Sequence, residues 1–72
     1  MATEKPLHEA LSNREYEVML MIASGINMND IAKKTYLSAS TVSTYRARIL
    51  NKLKLETTAE LIRYAIKNNL TD

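Results

Sequence analysis

The chain has 72 residues, about half of a typical domain, so it holds one small domain at most. An apolar share of 46% suffices for a single modest core, and the lack of cysteine excludes disulfides and thiolate zinc sites. A net charge of +2, one histidine and no spacing of acids, His or nucleophiles that suits catalysis leave a domain expected not to be an enzyme and to use no cofactor or metal.

Residues 1–10 have no useful periodicity and contain Pro6, so they read as a leader, a linker remnant or a frayed terminus. His8 falls in that stretch and is expected to be solvated. Residues 11–72 carry the folded domain. One Gly and one Pro leave few turn residues for strands, and helix signals follow in order. Ser12 with Glu15 three residues later spells a reciprocal capping box, and Leu11 before it suits a hydrophobic staple. The first helix is expected over about 13–24, stopped by Gly25 in a left-handed conformation. Val18, Met19 and Ile22 face inward.

Asn27 and Asp30 repeat the capping spacing, with an acid too short to reach back well. They open a second helix over about 28–35, whose Ile31 and Ala32 face the core and which Leu37 closes. Ser38 caps a third helix over about 39–53 that has no internal breaker. At 100° per residue, Val42, Ile49 and Leu53 gather on one side of it, flanked by Tyr45 and Leu50. Ser40, Thr44, Ala47 and Asn51 lie opposite, with Ser43 and Arg48 at the edges. That face is small and polar, which lets a helix backbone approach a partner closely, and a DNA major groove is wide enough to take it.

Thr57 and Glu60 form a further capping box and open a helix over about 58–68. Its apolar residues cover more than one contact requires. One reading buries them all. The preferred reading turns Leu61 and Ala65 inward and offers Ile62 and Ile66 to a partner.

Charge is segregated along this order. Residues 31–55 hold six basic side chains (Lys33, Lys34, Arg46, Arg48, Lys52, Lys54) and no acid, whereas residues 1–30 hold five acids and two bases. Such a run is a footprint for phosphate, or else a solvated face that binds nothing. Glu15 lies in register with Leu11, Val18 and Ile22, so it either caps the helix alone or also pairs with Lys52 or Arg46. Arg46 projects towards the core side and is expected to snorkel to a phosphate or a carboxylate. The four methionines and four tyrosines read as core or edge filler. The longest uncharged run, Val18–Asn29, is well short of the roughly 20 apolar residues that span a bilayer, and no signal peptide is visible. No membrane association and a cytoplasmic location are expected.

The three residues Tyr36, Leu37 and Ser38 join the second and third helices, a helix-turn-helix arrangement. Leu11-Ser12-x-Arg14-Glu15-x-x-x-Val18, Ala23-x-Gly25, Asp30-Ile31-Ala32, Leu37-Ser38-x-x-Thr41-Val42 and Lys52-Leu53 resemble, in order and spacing, the LuxR/FixJ-type DNA-binding domains. The resemblance runs from Leu11 to Leu70. It implies an all-α, four-helix domain whose third helix enters the major groove of double-stranded DNA. The run Thr41-Val42-Ser43-Thr44-Tyr45-Arg46 looks most like the response-regulator branch, whose output domains follow a receiver domain. By position, the resemblance puts base reading on Ser43, Thr44 and Ala47, the face that periodicity exposes. The phosphate-facing set is Lys33, Lys34, Ser40, Thr41, Arg46 and Arg48, and Ile62 with Ile66 is the homodimer surface on the fourth helix. RNA polymerase is a further candidate partner.

Two positions depart from the family pattern. Met28 stands where Asn is frequent, and Lys54 stands where Gly often follows the Lys-Leu pair. A left-handed cap at Lys54 would cost about 1 kcal/mol, so the third helix is expected to end differently or to run on. The function expected is sequence-specific DNA binding for transcription regulation, as a response-regulator output domain. A free-standing regulator of the same family and a basic helical protein-interaction module are the alternatives.

Overall fold

The computed structural model describes residues 6–71. A short 3-10 turn at Leu7–Ala10 precedes four helices: α1 (Asn13–Ala23), α2 (Met28–Thr35), α3 (Ala39–Lys52) and α4 (Thr58–Lys67). Each helix begins where capping chemistry demands. Ser12 Oγ accepts from the Glu15 amide at 3.1 Å while the Ser12 amide donates to Glu15 Oε1 at 2.8 Å. Thr57 and Glu60 make the same reciprocal box on α4. Asn27 Oδ1 accepts from the Asp30 amide, but the short Asp30 side chain meets only Asn27 Nδ2 and never reaches the backbone. Ser38 Oγ accepts from the Thr41 amide at 3.1 Å and opens α3.

The four helices also end alike. A left-handed residue follows each: Gly25 (φ 87°), Tyr36 (φ 58°), Lys54 (φ 59°) and Asn69 (φ 57°). The amide after each one reaches back across six residues: Ile26 to Met21, Leu37 to Ala32, Leu55 to Leu50 and Leu70 to Ala65, at 2.8–3.1 Å. This is the Schellman geometry, and it satisfies carbonyls that a helix end otherwise leaves orphaned. Ile26, Leu37, Leu55 and Leu70 then turn back onto the core. The expectation that α3 ends differently at Lys54 is corrected: the left-handed cap forms there without glycine. Leu55 docking on the core and two recovered backbone bonds offset the strain.

The core is one cluster built from all four helices. Val18, Met19, Ile31, Val42, Ile49, Leu61 and Ala65 are fully buried, with Ile22, Leu50 and Leu53 nearly so. α1 lies against α3 and α4, and α2 against α3. Burying such side chains supplies the main favourable free energy, at about 25 cal/mol per Å² of apolar surface. Thr35, unremarked in the sequence, is also buried; its hydroxyl donates to the Ile31 carbonyl at 2.7 Å, so no polar atom is orphaned.

The leader departs from expectation within its described part. Leu7–Ala10 packs beside α3. His8 is half-buried, not solvated: its amide donates to Tyr64 Oη at 3.2 Å and its Nδ1 lies 3.0 Å from the same oxygen. Residues 1–5 lie outside the described residues.

Candidate nucleic-acid interface

α2 and α3 are joined by Tyr36, Leu37 and Ser38, with the left-handed Tyr36 turning the chain and Ser38 restarting it. Because Val42, Ile49 and Leu53 anchor one side of α3 in the core, the opposite side is forced outward. Ser40, Ser43, Thr44, Ala47, Arg48 and Asn51 are all exposed there. The side chains near the middle of this face are short, so the backbone of α3 can approach a partner closely. Thr44 Oγ1 donates to the Ser40 carbonyl at 3.1 Å. That bond leaves the exposed hydroxyl oxygen able to accept, which suits a base-edge donor. Ser40 Oγ lies 3.1 Å from Ser38 Oγ, and half-buried Thr41 accepts from Ser38 Oγ at 2.9 Å.

Cations border the face. Lys33 and Lys34 are exposed in the last turn of α2, and Arg48 is exposed on α3. Among the described residues the ion pairs are Arg14–Glu17 and Lys52–Glu15, so no acid neutralises these three. Arg46 behaves otherwise. It lies on the α4 side of α3, half-buried, with Nε donating to Thr58 Oγ1 at 2.8 Å. Its partner is thus a hydroxyl at the start of α4, where the sequence pointed to a phosphate or a carboxylate. Met28, at the first position of α2, packs against the core and presents no polar group.

Glu15 holds α3 in this pose. It is only 4% exposed, yet its Oε1 accepts both the Ser12 amide and Lys52 Nζ, the latter at 2.7 Å. The sequence left capping and ion pairing as alternatives, and one carboxylate does both. The Lys52 bond, followed by the Ser12 amide, holds the Glu15 carboxyl below its ordinary value of 4.5 against the opposing effect of burial. Glu60 is lowered as well, by the Glu56 and Thr57 amides that donate to it.

On α4, Leu61 and Ala65 are fully buried, as the split reading expects. Ile66 is 61% exposed. Ile62 is half-buried and lines a shallow depression with Ile22, Ile26, Met28, Arg46 and Thr58.

Such a short turn between two helices, followed by an outward small-polar helix face flanked by unpaired cations, defines a helix-turn-helix DNA-binding domain of the kind that regulates transcription. The luxR family of bacterial regulatory proteins matches residues 9–65, and the chain belongs to that family. It is 44% identical over 68 residues to the virulence-factor transcription regulator BvgA of Bordetella pertussis, covering 94% of this chain and 32% of BvgA. It is 39% identical over 72 residues to the oxygen regulatory protein NreC of Staphylococcus haemolyticus, covering all of this chain and 33% of NreC. Identity to the response regulator UvrY of Escherichia coli is 41% over 68 residues, or 94% of this chain and 31% of UvrY. The chain therefore spans about a third of the length of these curated relatives.

Proposed function

We propose that this chain is the sequence-specific DNA-binding output domain of a response regulator. α3 lies in the major groove with Ser43, Thr44 and Ala47 toward base edges. Lys33, Lys34, Arg48 and the Ser40–Thr41 start of α3 engage phosphates, which position the protein without reading sequence. Arg46 joins α3 to α4. Two copies pair through Ile62 and Ile66, and a receiver domain precedes this one in a longer regulator. RNA polymerase is a further protein partner of the assembled regulator, which works in the cytoplasm. No helix among the described residues is long and apolar enough to cross a membrane.

The observation that carries the reading is the exposed small-polar face of α3 beside cations without internal partners. Support for one domain of a longer regulator comes from the relatives, each about three times as long, one of which is named a response regulator.

The test is duplex affinity at two salt concentrations. Binding through several phosphates weakens steeply as salt rises. A basic protein-interaction module would show no such dependence, and salt-independent or undetectable duplex binding would sink the proposal. Selection of bound duplexes from a random pool would then supply the operator.

A further inference from the structure

Tyr36 is the most exposed large apolar side chain among the described residues, at 95%, and it occupies the turn between α2 and α3. Its backbone is left-handed, with φ 58° and ψ 35°. A bulky side chain is disfavoured there, where glycine is the cheap solution and asparagine a tolerable one. Two of the three equivalent helix ends obey that rule with Gly25 and Asn69. At Tyr36 an aromatic residue sits in a strained conformation and gains no packing in return. The other tyrosines differ: Tyr16, Tyr45 and Tyr64 pack against the core, and Tyr64 Oη is bonded to His8. No hydrogen bond to the Tyr36 phenol occurs among the described residues, and its ring lies outside the core cluster.

The neighbourhood indicates what would meet it. Lys33 and Lys34 precede it by three and two residues, and Ser38 and Ser40 follow at the positive N-terminal end of α3; all four are exposed. A protein-docking patch would gather apolar neighbours around the ring. Here the exposed residues along the chain on either side of the ring are cationic or hydroxylic apart from the single methyl of Ala39, which suits a phosphodiester backbone.

We propose that Tyr36 is a DNA-backbone contact: its ring packs on a deoxyribose and its hydroxyl donates to a phosphate oxygen flanking the groove that α3 enters. This rests on the DNA-binding reading above and adds a residue to it. Because the phenol is neutral, it displaces no counterion and tightens binding without steepening the salt dependence.

Tyr36→Gly separates this role from a structural one. With the full chain and a random-sequence duplex as probe, the variant should bind about three- to tenfold more weakly, the range of one lost hydrogen bond. Its salt slope should match that of the unaltered chain, and its thermal midpoint should stay or rise, because the left-handed strain is relieved. Tyr36→Phe should lose part of the same affinity. Unchanged duplex affinity in Tyr36→Gly would overturn the proposal and leave the exposed ring to a protein partner. So would an affinity loss accompanied by a falling midpoint, which marks a structural residue. Tyr36→Phe binding as tightly as the unaltered chain would overturn the hydroxyl-to-phosphate bond. If the unaltered chain itself fails to bind duplex, the DNA-binding reading falls as well, so the two failures are distinct.

Discussion

Lys52 Nζ, at the last position of α3, lies 2.7 Å from Glu15 Oε1 in the first turn of α1. The pair joins the C-terminal end of α3 to the N-terminal end of α1, each charge at the helix pole that favours it. A carboxylate that also caps α1 thereby sets the angle at which α3 is presented.

Glu15→Gln should lower the unfolding free energy at neutral pH by on the order of 1–2 kcal/mol, less than a fully buried pair because Lys52 remains 40% exposed. The Glu15 carboxyl titrates below 4.5 in the folded chain, so its contribution is complete above that pH and is lost as pH falls through the lowered value. Urea denaturation at neutral pH and at about pH 3 checks this. The gap between the two proteins should close in acid, and a gap that persists unchanged would show that ionisation of Glu15 is not its source.

The left-handed caps predict substitutions of opposite sign. Lys54→Gly should stabilise the domain by up to about 1 kcal/mol by removing the Cβ strain. Gly25→Ala should destabilise it by about 1 kcal/mol from strain alone, since a Cβ there would meet nothing within 4 Å. Denaturation midpoints measure both; a stabilised Gly25→Ala would refute the strain account.

Ala47→Glu should abolish duplex binding and leave the melting curve as it was. Ala47 is exposed on the proposed groove face, so a longer acid costs the fold little and repels the phosphates. Titration of a selected duplex tests it, and normal binding would remove α3 from the groove.

Lys33→Gln or Arg48→Gln should each reduce the salt slope by about one unit and weaken specific and random duplexes alike. Arg46→Met should leave the slope unchanged, because Arg46 is turned to Thr58. A reduced slope in Arg46→Met would return Arg46 to the phosphate-facing set expected from its place on α3.

Ile66→Glu should leave stability within about 0.5 kcal/mol, as is usual for an exposed position. It should reduce cooperative binding to an operator with two half-sites, while one half-site binds as before. Half-sites about one helical turn apart are the relevant substrate for a two-fold dimer. Retained cooperativity would move the dimer contact off this face of α4.

The helices, their starts and the outward face of α3 were legible in the sequence because each rests on local chemistry: a cap three residues from its acid, or an apolar stripe at helical spacing. Leu61 and Ala65 could be assigned inward for the same reason. Where each helix ends was legible to within one residue, but the left-handed form of the ending was not, beyond Gly25. Tyr36, Lys54 and Asn69 become left-handed because Leu37, Leu55 and Leu70 each find a place on a core assembled from distant segments. Side-chain partners across the fold were likewise decided by packing. Ideal helix geometry turned Arg46 inward but could not reveal that Thr58, on another helix, would meet it. His8 and Tyr64 are 56 positions apart, and only the docking of the leader turn on α3 beside α4 brings them together. Local patterns determine which residues form helices and which faces they hide; the long-range placement of those helices decides which polar groups meet and which, like Tyr36, are left outside.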